Sequence, residues 1–301
     1  MKLAVTGATG FVGSHLLDQA LEAGHAVRAL TRSEQPPRDG IEWVRGSLSD
    51  APSLERLCTG TDAVIHVAGV INAPSPAEFE AGNVAGTREL LAAAANASVT
   101  RFVHVSSLAA REPQLSHYGA SKARSEVAVR TAAVEWAIVR PPAVYGPGDR
   151  ETLDLFTMAK RGIVVLPPQG RLSLLHVADL ARLLLALAQA DAPAGLVVEP
   201  DDGTAGGWTH RRFASLLGAA FGRNVRTVST PAGVLRAAAR LDRLVRGRNA
   251  KLTPDRARYF CHPDWVVSGD RRPPAQLWRA RIDTARGLAD TARWYEAQGW
   301  L

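Results

Sequence analysis

At 301 residues, with 46% hydrophobic and 22% charged side chains, the chain has an ordinary globular composition and room for one large or two modest domains. Its formal charge of +7 is uneven: residues 1–200 hold 18 basic and 20 acidic side chains, residues 201–301 hold 18 and 9. The basic excess is nearly all arginine and comes without a nucleic-acid motif, and no apolar run reaches the roughly 18 residues of a membrane span, so neither nucleic acid nor a transmembrane segment is expected. Two cysteines, Cys58 and Cys261, give no disulfide framework and point to reduced thiols in a cytoplasmic setting. The start, Met1-Lys2-Leu3-Ala4-Val5, runs directly into a glycine motif and leaves no space for a signal peptide.

Strands are predicted at Leu3–Thr6, Ala26–Thr31, Glu42–Arg45, Ala63–Val67, Arg101–Ser106 and Trp136–Val139. Helices are predicted near Gly13–Ala23, Ala51–Cys58, Asn83–Ala97 and Tyr118–Ala132, between most of those strands. This alternation implies an α/β fold: a doubly wound parallel sheet with helices on both faces. Short apolar runs without alternation, such as Ala63-Val64-Ile65, suit strands buried on both sides. A further helix follows His176 (Val177–Ala190), then a strand at Leu196–Glu199. Beyond Pro200 the chain reads as helical and Arg-rich without clear strand alternation. The expected organisation is therefore a dinucleotide-binding domain at 1–200, with part of 146–171 facing substrate, and a smaller, mainly helical substrate domain at 201–301.

The first strand ends in Thr6-Gly7-Ala8-Thr9-Gly10-Phe11-Val12-Gly13, and a helix begins at once. Glycines at this spacing allow a tight turn, close approach of backbone to a pyrophosphate and close packing of helix on strand. The helix N-terminus offers amide donors and a positive dipole end to phosphates. At the end of the second strand, Ala29-Leu30-Thr31-Arg32-Ser33 carries no acid to bond a ribose 2′-hydroxyl. Arg32 stands there instead, as a cation for a 2′-phosphate, so NADP is expected ahead of NAD.

Tyr118 and Lys122 stand four apart in His117-Tyr118-Gly119-Ala120-Ser121-Lys122, in a chain with only four tyrosines and four lysines. On a helix both side chains share one face. An ammonium beside a phenol favours the phenolate, which suits the tyrosine to proton transfer near neutral pH. No histidine, cysteine and acid grouping takes metal-ligand spacing, so no metal is expected.

With the glycine turn, Tyr-x-x-x-Lys and a fifth strand ending in Ser106-Ser107 in order, the chain resembles the short-chain dehydrogenase/reductase superfamily. Further runs resemble its extended branch, the NAD-dependent epimerase/dehydratase family. Gly46-Ser47-Leu48-Ser49-Asp50 is similar to the family's adenine-contacting loop, with Ser47 where Asp is more usual. His66-Val67-Ala68-Gly69 resembles the segment beside the cofactor, and Asn83-Val84-Ala85-Gly86-Thr87 the helix-opening motif. Arg140-Pro141-Pro142-Ala143-Val144-Tyr145-Gly146-Pro147-Gly148-Asp149 resembles the turn passing the nicotinamide, and Gly287 to Leu301 the terminal helix.

The resemblance implies Tyr118 as proton donor or acceptor, Lys122 as the residue that holds the nicotinamide ribose and lowers the tyrosine pKa, and Ser107 as the group that binds the substrate oxygen. Ser106 is the rival for that last role. Cofactor contacts are implied at Gly7, Thr9, Gly10, Phe11, Val12, Gly13, Arg32, Ser47, Leu48, Ala68, Tyr118, Lys122, Pro141 and Val144. His176 and Asp179 fall in a segment resembling a structural motif, for packing and capping. Homodimers are implied by analogy alone.

Three departures steer the expected chemistry. Ser107 and Tyr118 are only 11 apart. Ala143 stands where sugar-nucleotide epimerases carry an Asn, and Leu108-Ala109 lacks the acidic pair of sugar dehydratases. The expected function is an NADP(H)-dependent oxidoreductase interconverting a carbonyl and a secondary alcohol on a small, fairly apolar substrate. The alternatives are an epimerase of a sugar or sugar nucleotide, and a non-catalytic NADPH-binding sensor or assembly protein.

In the basic third, Val234 to Arg248 reads as an amphipathic helix, with Leu235, Ala238, Leu241 and Val245 on one face and Arg236, Arg240 and Arg243 on another. The simpler reading is a packed helix with a solvated basic face. The sharper one is an interfacial helix that meets an anionic membrane.

Overall fold

The computed structural model describes residues 1–247, 250 and 252–301. It divides into two compact units, each drawn from several stretches of chain. The first holds Met1–Pro141, Leu180–Glu199 and Pro273–Trp278, and the second holds Pro142–Asp179, Pro200–Arg272 and Arg279–Leu301.

In chain order the first unit contains β1 (Lys2–Thr6), α1 (Phe11–Glu22), β2 (Ala26–Thr31), β3 (Ile41–Arg45), α2 (Ala51–Cys58) and β4 (Ala63–His66). Then come α3 (Pro76–Phe79), α4 (Gly86–Asn96), β5 (Arg101–Val105), α5 (His117–Arg130) and β6 (Glu135–Val139), with the strand Leu196–Val198 closing one edge. The seven strands run in the order Leu196–Val198, β6, β5, β4, β1, β2, β3, and every pairing is parallel. This is the doubly wound sheet expected from the alternation of elements. β1 pairs with β2 on one side and with β4 on the other, so the strand order reverses beside it. In such sheets ligands lie beyond the carboxyl ends of the strands at that reversal.

Every residue of β4 and β5 is buried, which is why neither strand alternates in sequence. Leu54 and Leu57 of α2 and Leu90, Leu91 and Ala94 of α4 pack with Val64, Phe102 and Ile138 in one core. Each fully buried leucine contributes on the order of 1.5–3 kcal/mol relative to exposure. α4 begins at Gly86, later than the predicted Asn83, because Glu80–Ala85 form a wider π-helical turn.

The second unit has its own core, in which Tyr145, Phe156, Leu174, Phe213, Leu217, Leu288 and Tyr295 meet. Beyond Pro200, where the sequence shows no clear strand alternation, it also carries short strands. Trp208–Thr209 and Asp264–Trp265 flank Arg171–Leu172, and Arg226–Ser229 pairs with Ile163–Leu166. These strands are two to four residues long, too short to leave an alternating signature. Asp179 accepts the backbone N–H of both Arg281 and Ile282 at 3.0 Å. His176 Nδ1 accepts from Ala178 N at 3.2 Å while its ring meets Tyr145 edge-on. Both residues therefore cap and pack. The basic helix spans Ala232–Arg246; Arg248, the predicted end, lies outside the described residues. Among the described residues no helix is long and apolar enough to cross a membrane.

Candidate active site

The turn after β1 is closed by Gly10 N donating to Gly7 O at 3.0 Å, with Ser14 N reaching Gly10 O at 2.9 Å. Gly7 sits at φ +72°, and a Cβ there would stand 2.6 Å from Ala68 N, in the segment leaving β4. A Cβ on Gly13 would collide with the Gly7 carbonyl. Glycine is therefore required at both places by backbone contact, and the turn brings Gly7 against Ala68, two of the residues singled out for cofactor contact. The helix it opens, α1, is capped by Gly10 with no side-chain acceptor and has no acid in its first turn. Its leading amides are thus left for an anion. Thr9 and Gly10 are exposed there, and Phe11 and Val12 half-buried.

Arg32 follows β2 and is exposed; the turn behind it is held by Thr31 Oγ1 donating to Ser33 O at 2.7 Å. Ser47 pairs with Ser49 through their hydroxyls at 3.0 Å. Leu48 fills the space over Gly86, whose missing Cβ would come within 2.9 Å of it. Pro141 accepts Leu108 N at 2.9 Å, tying the end of β6 to the segment after Ser107. Val144 lies in the second unit, on Ala143–Tyr145, opposite Leu175 in a parallel pair. The residues of the first unit present a glycine turn, an uncapped helix end and an exposed cation at the strand end, a set that fits a dinucleotide.

α5 carries Tyr118 and Lys122, the pair expected from sequence to move the proton. Ser116 caps it by accepting Gly119 N at 2.9 Å, and Tyr118 and Lys122 follow one turn apart on the same face. Tyr118 is half-buried, with its ring 6.2 Å from that of Phe79. Lys122 is 3% exposed, and its Nζ donates to Val105 O at 2.9 Å. Burial lowers the Lys122 pKa from 10.5 to about 8, with the Glu126 carboxylate pulling back the other way. A Cβ on Gly69 would stand 2.9 Å from Lys122 Nζ, so glycine keeps open the space in front of the ammonium. Two buried histidines lie on the adjacent strands: burial and the Lys122 charge push His66 down to about 3 and His104 well below 6.5. Both imidazoles are therefore neutral near pH 7.

The two serines after β5 have different surroundings. Ser106 is buried, and its Oγ donates to Glu126 Oε1 at 2.6 Å. Ser107 is half-buried; its Oγ accepts Ala109 N at 3.2 Å, which leaves its hydroxyl proton to donate. A Cβ on Gly119 would stand 2.5 Å from Ala109 O. The start of α5 thus presses on the turn that follows Ser107, and only glycine allows that approach.

Arg140 and Asn83, read from sequence only as members of longer motifs, also shape the site, as do Glu126 and Glu199, which no motif contains. Arg140 grips Glu126 through two hydrogen bonds of 2.8 and 2.7 Å and reaches Glu199 Oε1 at 3.3 Å. Asn83 holds Val70 through both its amide atoms and donates to Ser121 Oγ at 2.9 Å. Ser121 in turn donates to Tyr118 O at 2.8 Å. Glu126 lies four residues beyond Lys122, so helical spacing alone could have placed it on the same face; Glu199 had no such signal.

The profile of the NAD dependent epimerase/dehydratase family matches residues 3–198. The chain is similar to the ceramide reductase of Caulobacter vibrioides, with 39% identity over an alignment covering 99% of this chain and 96% of that one. It is 33% identical over 268 residues to the 4-hydroxy-2-methyl-3-oxo-4-farnesyl-3,4-dihydroquinoline-1-oxide ketoreductase of Stigmatella aurantiaca, covering 80% and 79% of the two chains. Among solved structures, the dTDP-glucose 4,6-dehydratase of Streptomyces venezuelae with NAD and TYD bound superposes with a TM-score of 0.72 at 26% identity, covering 100% and 98%.

Proposed function

The chain belongs to the NAD-dependent epimerase/dehydratase family and is an NAD(P)-dependent carbonyl/alcohol oxidoreductase; within it, we propose that the chain is an NADPH-dependent ketoreductase whose substrate is a ketone on a long-chain, lipid-like molecule. The observation that carries the reading is the anchoring of buried Lys122 to the end of β5, one turn beyond Tyr118 and beside the Ser107 turn.

Tyr118 delivers the proton to the ketone oxygen. The Lys122 ammonium, charged near pH 7, favours the phenolate left behind. Ser107 donates its hydroxyl proton to the same oxygen and stabilises the charge that develops on it. The bond from Ser106 to Glu126 supports Ser107 over Ser106 for that role. When bound, the reduced nicotinamide supplies the hydride for the carbonyl carbon. The turn at Gly7, Thr9, Gly10 and Gly13, the half-buried Phe11 and Val12, the loop at Ser47 and Leu48, and Ala68 and Pro141 would hold the dinucleotide. Arg32, exposed at the end of β2 with no acid beside it, favours the 2′-phosphate form.

The substrate class rests on the two relatives, named for a ceramide and for a farnesylated ring ketone. A ceramide-type lipid is an N-acyl amino diol, and the position such chemistry can reach is the ketone form of its secondary alcohol. This enlarges the small apolar substrate expected from sequence to a lipid-sized one. Ala143, which offers no amide to a diphosphate, supports the same direction. A panel of long-chain ketones and sugar nucleotides, scored by loss of NADPH fluorescence, tests the proposal. Turnover confined to the ketones is the expected result, and turnover of sugar nucleotides alone would refute it.

A further inference from the structure

The helix Ala232–Arg246 presents its apolar face to water. Val234 and Leu241 are 58% and 62% exposed, Leu244 82% and Val245 75%, and among its residues only Ala239 is buried. At 100° per residue, Leu244, Ala237, Leu241, Val234, Val245 and Ala238 fall on one continuous arc of the helix. Arg240, Arg236 and Arg243 follow on one side of that arc, and all three are exposed. The face that does pack carries Leu235, Ala239 and Asp242, turned toward Pro254–Phe260. The helix thus packs one leucine and one alanine against the protein and turns two leucines and two valines to water, the reverse of an ordinary packed helix.

The ribbon that leads into it behaves alike. On Ile163–Leu166, Val164 and Leu166 are buried while Ile163 and Val165 are about half exposed, as is Val228 opposite Val165. From Ser229 the chain enters the helix through Thr230 and Pro231. Exposed apolar residues on consecutive elements, flanked by cations, mark an interaction surface rather than scattered surface leucines.

We propose that this surface docks the protein onto an anionic lipid bilayer, with Leu241, Leu244 and Val245 inserted among the acyl chains and Arg236, Arg240 and Arg243 at the headgroup phosphates. Charge complementarity chooses the occupant. A second copy paired antiparallel would oppose arginines to arginines, and one paired parallel would offer them only an acid already engaged, whereas an anionic leaflet offers the counter-charge. The only acid on the helix, Asp242, is taken up by Arg246 at 3.3 Å and by Leu252 N at 2.8 Å. That the docking delivers a lipid ketone rests on the ketoreductase reading; the docking itself rests on the helix alone.

The test is co-sedimentation of the full chain, without substrate, with phosphatidylcholine vesicles that contain or lack phosphatidylglycerol. The protein should pellet with the anionic vesicles at low salt and release as salt is raised. Arg240→Gln with Arg243→Gln should weaken this about 30-fold, at about fivefold per arginine, and Leu241→Asp with Leu244→Asp by about tenfold or more. Both double variants, altered only at exposed positions, should keep wild-type thermal stability and wild-type turnover of a short-chain soluble ketone. The proposal is overturned if the wild type stays in the supernatant at low salt, or if the variants bind as it does. It is equally overturned if the leucine variant abolishes a concentration-dependent dimer in a protein that ignores vesicles. Loss of ketone turnover with vesicle binding intact would count against the ketoreductase reading and not against the docking.

Discussion

The Nζ of Lys122 donates to the carbonyl of Val105 at 2.9 Å. This one bond fastens α5 to the carboxyl end of β5, the strand whose next two residues are Ser106 and Ser107. Lys122 is therefore a strut between the helix that carries Tyr118 and the strand that leads into Ser107.

Tyr118→Phe should lower kcat by about 10³-fold, within the range for a lost general acid, while the Kd for NADPH stays near the wild-type value. Fluorescence titration and steady-state kinetics separate the two. Retained turnover would assign the proton to another group.

Lys122 gives stability a pH dependence of known sign. Its pKa falls from 10.5 to about 8 on folding because of burial. Between those values the unfolded chain binds more protons than the folded one, so this group's contribution to stability rises with pH across the window. Below pH 8 the buried charge costs about 3 kcal/mol relative to its pH 10.5 value, taking about 1.4 kcal/mol per pH unit. Lys122→Met removes that cost. Its Tm advantage over wild type should be largest near pH 7 and shrink toward pH 10, measured without cofactor. A gap that widens with pH would contradict the assignment.

Arg32→Asp should weaken NADPH binding by at least about 100-fold, through loss of a charge-assisted pair and gain of a like-charge one, and leave NADH binding nearly unchanged. Comparing the two dissociation constants by fluorescence checks this. Equal losses would remove the case for NADP.

Arg140 sits between two buried carboxylates, Glu126 and Glu199. Arg140→Met leaves both without their shared cation and should destabilise the fold by about 3–5 kcal/mol in urea denaturation. Adding Glu126→Gln should recover part of the loss, and a neutral Arg140→Met would mean that the triad is held some other way.

The doubly wound sheet was legible because its signals are local: apolar runs at strand length, glycines at a strand–helix junction, two residues one helical turn apart. The two serines could not be told apart in sequence, since what separates them is the distant carboxylate of Glu126 and the N–H of Ala109. Short strands such as Asp264–Trp265 were invisible because two residues carry no period. The face on which Ala232–Arg246 packs was hidden too. Its hydrophobic pattern shows where the apolar arc lies, and only the placement of Pro254–Phe260 shows that the arc looks outward.

The central claim is that Tyr118, Lys122 and Ser107 reduce a lipid-like ketone at the expense of NADPH. It is tested most directly by incubating the protein with NADPH and a long-chain N-acyl amino ketone, then quantifying NADPH consumed and alcohol formed. The proposed function predicts one alcohol per NADPH, and both product and consumption slowed about 10³-fold with Tyr118→Phe. Conversion of substrate to a stereoisomer with no net loss of NADPH, or undiminished reduction by Tyr118→Phe, would contradict it.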